Sequence, residues 1–338
     1  MRTSQLTVLC LAAAVGLAGC ASPSAPGPAV PSPSATASAP ADAEQARETG
    51  LTRPALAFNG QCDLLFSDAQ LSSVMGAPLA LTGNHWDEFW GGDALFAEYG
   101  GFECTWISGN ARVIALVLPE AAVDYTPQDY ECTETHDSSL MSCPMESIVN
   151  GLRISGLATL GQDPVAATVA RDALLAIFTD KATGQAPVPV PLAAVGSWSL
   201  TLDCAGLAAG ADFSAVPGLG AGAVDVGALG AGKDISQAES ALVATESACA
   251  VQGDSAMVSF IPVGGARWTE ERVAARPEAS PLALDGVDAA YGVPYADGTT
   301  LVYAYSGPNL LMFQVRYTKN AAAFATALFA SLDATAVT

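Results

Sequence analysis

The chain is poor in basic residues, since 13 lysines and arginines stand against 34 aspartates and glutamates and give a formal net charge of −21. Both halves share this deficit, with 17 acids and 5 bases in residues 51–190 and 14 acids and 6 bases in residues 191–338. Proteins that neutralise phosphates need clustered lysine and arginine. The composition therefore predicts no nucleic-acid partner and no attraction to anionic lipid headgroups.

Histidines and recognisable catalytic motifs are also scarce. Only His85 and His136 occur, and G-x-S-x-G is absent. Residues Gly227–Asp234 fit G-x-x-x-x-G-K but end in Asp, where a nucleotide-binding loop needs Ser or Thr. We interpret that glycine-rich stretch as a flexible loop. The sequence predicts no catalytic residue, no cofactor and no enzymatic activity, and leaves a distant pair of carboxylates as the one open route to hydrolysis.

The start of the chain lacks an apolar run long enough to span a membrane. Leu6–Leu17 follows a positive end at Arg2, which is the layout of a secretory signal, and a spanning helix would need about 20 apolar residues. The run closes on Leu-Ala-Gly-Cys20, which resembles the bacterial lipobox. The resemblance implies a signal peptide over residues 1–19 and a lipid on Cys20, which would anchor the chain to the outer face of the cytoplasmic membrane.

Two stretches of unusual composition divide the remainder. Residues 20–50 consist mostly of Ala, Ser and Pro, a composition that cannot bury a core and is typical of an extended tether. Residues 181–195 place prolines at alternate positions, which disfavours a helix and a central strand alike. We therefore predict a first domain over residues 51–182, a Pro-rich linker over residues 183–196, and a second domain over residues 197–338.

Six cysteines remain after Cys10 is removed with the signal and Cys20 takes the lipid. An even set in an exported chain predicts disulfides, and six cysteines allow about 15 pairings. The similar separations of Cys62–Cys104 and Cys204–Cys249 favour these two bridges, which leaves Cys132–Cys143 to close a loop. A zinc site is the competing interpretation, but C-x-x-C and C-x-x-H are both absent. We predict three disulfides and no metal.

Helix and strand patterns indicate an α+β fold. Ser67 and Gln70 form a potential capping box before a helix that ends at Gly76. Asp163-Pro164 opens a helix through Phe178, for which we predict one face made of Val165, Val169, Ile177 and Phe178. Strands are predicted over residues 113–118, 256–263, 287–295, 299–305 and 310–317, with Asp297-Gly298 as the turn of a hairpin between residues 287–295 and 299–305. A helix is predicted over residues 321–332, with Phe324, Leu328, Phe329 and Leu332 on its buried face. The expected architecture is two compact domains, each with helices packed on one face of an antiparallel sheet.

The pattern Cys62-Asp63-Leu64-Leu65, then a helix and a glycine, then Cys104-Thr105-Trp106, resembles a family of small actinobacterial secreted lipoproteins of unknown function. The resemblance covers roughly residues 60–180. It implies a disulfide between Cys62 and Cys104 and a compact α+β fold, and it implies no activity. The second half departs from the pattern at Cys204 and Cys249, and we interpret it as a diverged copy.

The most unusual stretch is residues 84–92, where His85, Trp86, Phe89 and Trp90 alternate with acids in a predicted loop. Aromatic side chains of this kind can stack on a sugar or bind a protein partner, and a loop folded over its own aromatics is the alternative. The sequence as a whole predicts a non-enzymatic, lipid-anchored module that binds an unknown envelope protein or glycan. The alternative is a carrier or receptor for a small apolar or cationic ligand in an interdomain cleft.

Overall fold

The computed structural model describes residues 50–83, 92–123, 126, 130–135, 140–186, 188–191, 193–198, 204–219, 225–228, 249–253, 257–295 and 298–336. These residues belong to one compact unit, Pro40–Thr338. The fold is α+β, as predicted, with two antiparallel sheets and helices packed against them. The predicted division into two domains stays a prediction.

The first half, residues 50–186, contains a six-stranded sheet in the order β1-β2-β3-β6-β5-β4. Helices α2 and α4 cover one face of it and enclose a core around Trp106 and Phe178. The elements are α1 (Cys62–Leu65), α2 (Asp68–Met75), β1 (Ala80–Gly83), α3 (Gly92–Glu98), β2 (Phe102–Ser108), β3 (Ala111–Pro119), β4 (Thr133–Glu134), β5 (Met141–Val149), β6 (Leu152–Leu160) and α4 (Pro164–Thr183).

The second half, residues 193–336, contains a seven-stranded sheet in the order β10-β11-β12-β13-β9-β8-β7. Its own core surrounds Phe324 of α7, which contacts the rings of Phe213, Phe260 and Phe313. The elements are α5 (Cys204–Gly210), β7 (Asp225–Ala228), β8 (Cys249–Gln252), β9 (Met257–Val263), α6 (Glu270–Ala274), β10 (Ser280–Pro281), β11 (Ala289–Pro294), β12 (Thr300–Ser306), β13 (Asn309–Val315) and α7 (Lys319–Asp333).

The two sheets have the same connectivity. In the first sheet, the first three strands lie side by side in chain order and are followed by the last three in reverse order. The second sheet has the same arrangement when it is read from β7, and β10 is an additional strand at its other edge. In both halves a disulfide joins the helix that precedes the sheet to its second strand, and a long helix follows the last strand. The two halves therefore have a similar topology, and the interpretation of the second half as a diverged copy stays a prediction.

Local sequence signals explain most of the elements. Ser67 and Gln70 form the predicted capping box of α2, and Gly76 adopts the left-handed conformation after it. Asp163 caps α4 through the Val165 N–H. Strands β11 and β12 pair across the predicted turn, and α7 buries Phe324, Leu328, Phe329 and Leu332 as predicted.

The single face predicted for α4 from Val165, Val169, Ile177 and Phe178 is wrong for the two valines. Phe178 is buried, but Val165 and Val169 are 70% and 64% exposed. At 100° per residue these valines lie on the side of the helix opposite Phe178, and the buried positions fall instead on small residues and one leucine. The buried residues of α4 are Ala167, Ala170, Leu174, Phe178 and Ala182.

A third apolar core joins the halves through the sheet faces that α2, α4 and α7 do not cover. Leu116 and Leu118 of β3 and the residues of α3 contribute from the first half, and Ile261 and Val263 of β9 contribute from the second. β3 pairs with the strand that carries Cys104, and β9 pairs with the strand that carries Cys249. When the two halves are aligned on these cysteines, the strand registers make Leu116 equivalent to Ile261 and Leu118 equivalent to Val263. Equivalent residues of the two halves therefore contribute to the same core.

The edge of this junction is fixed by Trp268, which precedes α6. Its indole Nε1 donates to the Glu98 carboxylate at the end of α3 (3.1 Å), and its backbone N–H donates to the Gly50 carbonyl (2.9 Å). The guanidinium carbons of Arg53 and Arg272 lie 5.5 and 5.6 Å from the centroid of the Trp268 ring. Both distances are within the range of cation–π contacts. The first described residues of the chain are thus bound to the second half.

Candidate functional site

The residues predicted for binding and anchoring fall mostly outside the described part of the chain. Cys20 and the stretch that holds His85, Trp86, Phe89 and Trp90 are not described; the chain leaves β1 at Gly83 and is described again from Gly92 in α3. The anchoring and binding roles of these residues therefore stay predictions.

The loop predicted over residues 227–234 is wrong for Gly227 and Ala228, which pair with β8 as part of β7.

All three predicted disulfides are present: Cys62–Cys104, Cys132–Cys143 and Cys204–Cys249. Within the described ranges, no group of three or more His, Cys, Asp or Glu side chains is placed to hold a metal ion. In the same ranges, no helix has both the length and the apolar character needed to cross a membrane.

An open groove lies between the first turns of α4 and the segment that leads into β4. Its volume is about 490 Å³. Val165 and Val169 line it and are exposed, and Cys132 of the Cys132–Cys143 bridge also lines it. The lining residues are Tyr130, Glu131, Cys132, Pro164, Val165, Thr168, Val169 and Arg171.

Polar contacts hold the two walls of this groove at a fixed separation. Arg171 of α4 donates from Nη1 to the Tyr130 carbonyl and forms an ion pair with Asp172 (2.9 Å). The Thr168 hydroxyl donates to the Pro164 carbonyl at 2.9 Å, and its oxygen lies 3.6 Å from Sγ of Cys132. Because Cys132 is bonded to Cys143 in β5, the opposite wall is attached covalently to the sheet. The groove is therefore preformed.

The second half shows what the fold requires at the groove valines. The buried residues Ala167, Ala170, Leu174 and Phe178 of α4 have the same spacing as Ala321, Phe324, Leu328 and Leu332 of α7. This alignment places an exposed lysine, Lys319, and an alanine, Ala323, at the positions of Val165 and Val169. Packing of the long helix on its sheet therefore does not explain two exposed valines in the first half.

A second unusual feature is a set of charged side chains buried on the outer face of the first sheet. Glu103 of β2 and Arg153 of β6 are 3% and 2% exposed. Thr105 donates to the Glu103 carboxylate (3.5 Å), and Ser155 donates to Glu146 of β5 (3.3 Å). Buried charges cost several kcal/mol unless well paired.

The second sheet has apolar residues at the positions equivalent to Arg153 and Ser155. Matching the strand registers from the two disulfides, Arg153 corresponds to Leu310 and Ser155 to Met312. The fold thus accepts apolar residues where the first half has charges. Glu103 and Glu146 lie in one row across the sheet, on strands three spacings apart, and Glu103 is buried rather than exposed in an open cleft. A substrate does not reach a buried carboxylate, so the groove is the better candidate site.

Polar groups on the second sheet fasten α6 and the turn before it. Arg267 donates to Asp288 (2.8 Å) and Glu270, and Asp288 also accepts from the Gly307 N–H (2.8 Å). The Gly307 N–H and Arg267 hold the pKa of Asp288 below its usual value. Burial raises the pKa of Tyr305, which shares a hydrogen bond with Thr269 (3.0 Å). All of these contacts join residues of the second half to one another.

Comparison of the chain with protein-family models, curated proteins and solved structures found no match.

The groove could have been found from the sequence by one signal: Val165 and Val169 share a helix face with each other but not with Phe178. The contribution of Tyr130 and Glu131 could not, because it depends on the path of the chain between β3 and β4.

Proposed function

We propose that this protein is a lipid-anchored, extracytoplasmic binding module of the cell envelope, without enzymatic activity, and that the groove beside α4 is its binding site. The observation that carries the proposal is a preformed groove with two valines that the fold does not need at its surface. Exposed apolar residues that line a concavity mark binding sites far more often than isolated exposed residues do.

The location of the module is supported by two features of different kinds. Leu17–Cys20 resembles a lipobox after a short apolar signal. Three disulfides are typical of a protein in an oxidising compartment. A lipid on Cys20 would hold the module on the outer face of the cytoplasmic membrane through a tether of about 30 residues. If so, Cys20→Ala shifts the protein to the soluble or unprocessed pool, and membrane attachment of a processed Cys20→Ala protein would contradict the anchor.

Site-specific photo-crosslinking in intact cells tests the binding site. A benzophenone amino acid replaces Val169 in one protein and Val195, a valine that is 67% exposed in the Pro-rich stretch, in another. We expect a discrete adduct from position 169 that excess purified wild-type ectodomain suppresses. Suppression should fail with the Val165→Asp/Val169→Asp ectodomain, whose exposed aspartates near a helix N-terminus leave the fold intact. Equal adducts from both positions, or none from position 169, would contradict the site.

The alternative of a small ligand between two domains finds no support in the described residues. The face between the two sheets is filled by apolar side chains of both halves, Leu116, Phe96, Ile261 and Met312 among them. A carrier in this chain would therefore have to use another place.

A further inference from the structure

One acidic side chain lines the groove, and two others lie on or next to the helix that forms one of its walls. Glu131 lines the groove, Asp163 caps the N-terminus of α4, and Asp172 follows Arg171 within α4. Asp172 is 59% exposed, whereas its partner Arg171 is 13% exposed and is also held by the Tyr130 carbonyl. The accessible charge at the rim is therefore negative, around a centre of two valines.

We infer that the groove binds a short peptide segment in which aliphatic side chains are flanked by lysine or arginine. This inference rests on the proposed function and adds the chemistry of the partner. Aliphatic side chains would cover Val165 and Val169 and gain the free energy of apolar burial. Flanking cations would meet Glu131 on one side and Asp163 and Asp172 on the other, which favours such segments over acidic ones.

The size and rigidity of the groove agree with this partner. A volume of about 490 Å³ lies within the range of pockets that enclose small ligands, and it accommodates a few side chains rather than a folded surface. Because Arg171, Thr168 and the Cys132–Cys143 bridge already fix the walls, little ordering of the protein accompanies binding. The bound segment alone has to become ordered.

The same acids also reject competing partners. An acidic segment would place like charges beside Glu131 and Asp172, and a basic segment without aliphatic residues would leave the valines in water. Electrostatic attraction to a chain of net charge −21 is present everywhere on the surface. Recognition at the groove therefore requires both the valines and the charge pattern, and each can be removed separately.

Fluorescence anisotropy with three labelled heptapeptides tests the inference on the purified ectodomain. The peptides are KKVVVKK, EEVVVEE and KKSSSKK. We expect KKVVVKK to bind at least tenfold more tightly than either of the others, with affinity that falls as salt rises. Val165→Asp/Val169→Asp should lower that affinity at least tenfold, and the matched control Val195→Asp should leave it unchanged. Glu131→Lys/Asp172→Lys should invert the preference between KKVVVKK and EEVVVEE.

Each other outcome overturns the inference. Binding of KKVVVKK that survives Val165→Asp/Val169→Asp would show capture by the net charge alone, and equal binding of EEVVVEE would remove the role of the acids. Concentration-dependent dimers in light scattering that Val165→Asp/Val169→Asp abolishes would identify a second copy of the chain as the occupant. If crosslinking at position 169 succeeds while no peptide preference appears, the partner chemistry is wrong and the binding site stands; if both fail, the proposed function fails as well.

Discussion

Replacing Leu116 by alanine tests whether the shared core makes the two halves unfold together. Leu116 is fully buried in the core between the sheets, and Ile261 occupies the equivalent position in the second half. If this core couples the halves, the ectodomain unfolds in one calorimetric transition, and Leu116→Ala and Ile261→Ala each lower the temperature of that whole transition.

The magnitude follows from the size of the deletion. A fully buried leucine or isoleucine replaced by alanine costs about 2–5 kcal/mol through lost burial and the remaining cavity. For a unit of this size, 1 kcal/mol corresponds to roughly 2 °C in Tm, so each variant should melt about 4–10 °C below the wild type. Val169→Ala, which removes an exposed side chain, should stay within about 0.5 kcal/mol and serves as the control.

The assay is differential scanning calorimetry of the ectodomain, with circular dichroism melts as a second probe. The ratio of van't Hoff to calorimetric enthalpy should be close to one if the halves unfold as a unit. Two resolved transitions in the wild type, with Leu116→Ala lowering only one of them, would refute the coupling and show that the halves fold independently.

Three further predictions concern single contacts. Cys204→Ser/Cys249→Ser should destabilise the chain by about 4 kcal/mol in the chain-entropy model, measured by urea unfolding, and a loss below about 1 kcal/mol would contradict that estimate. The hydrogen bonds from Gly307 and Arg267 lower the pKa of Asp288 from 3.8, so their stabilisation is present above about pH 4 and is lost as the pH falls through the folded-state pKa. The Tm difference between wild type and Asp288→Asn should therefore narrow from pH 6 to pH 3, and a constant difference would argue against this linkage. Gly151→Ala should cost about 1 kcal/mol because Gly151 has φ of 73°, and an unchanged urea midpoint would be inconsistent with strain there.

Some of the structure was accessible from local sequence signals alone. The capping box of α2, the buried face of α7 and the β11–β12 hairpin each depend on residues a few positions apart, and all were predicted. One equally local signal was missed: Asn150-Gly151, both with positive φ, forms the tight turn between β5 and β6. Asn-Gly between apolar runs is among the strongest hairpin signals.

The sequence by itself determined the secondary structure near its strongest caps and turns and the α+β class, because these follow from residues a few positions apart. It also determined the pairing of the cysteines, because an even number of them remains and two of the pairs have similar separations. Only the tertiary structure decided which face of α4 is buried, since valines and alanines alternate around that helix and the sheet selects the alanines. It also decided that the outer faces of the two sheets share a core, and that Tyr130 and Glu131 meet the exposed valines in one groove. Both are contacts between residues distant in the chain. Because hydrophobic attraction is non-directional, the pattern of apolar residues does not show which distant residues will meet.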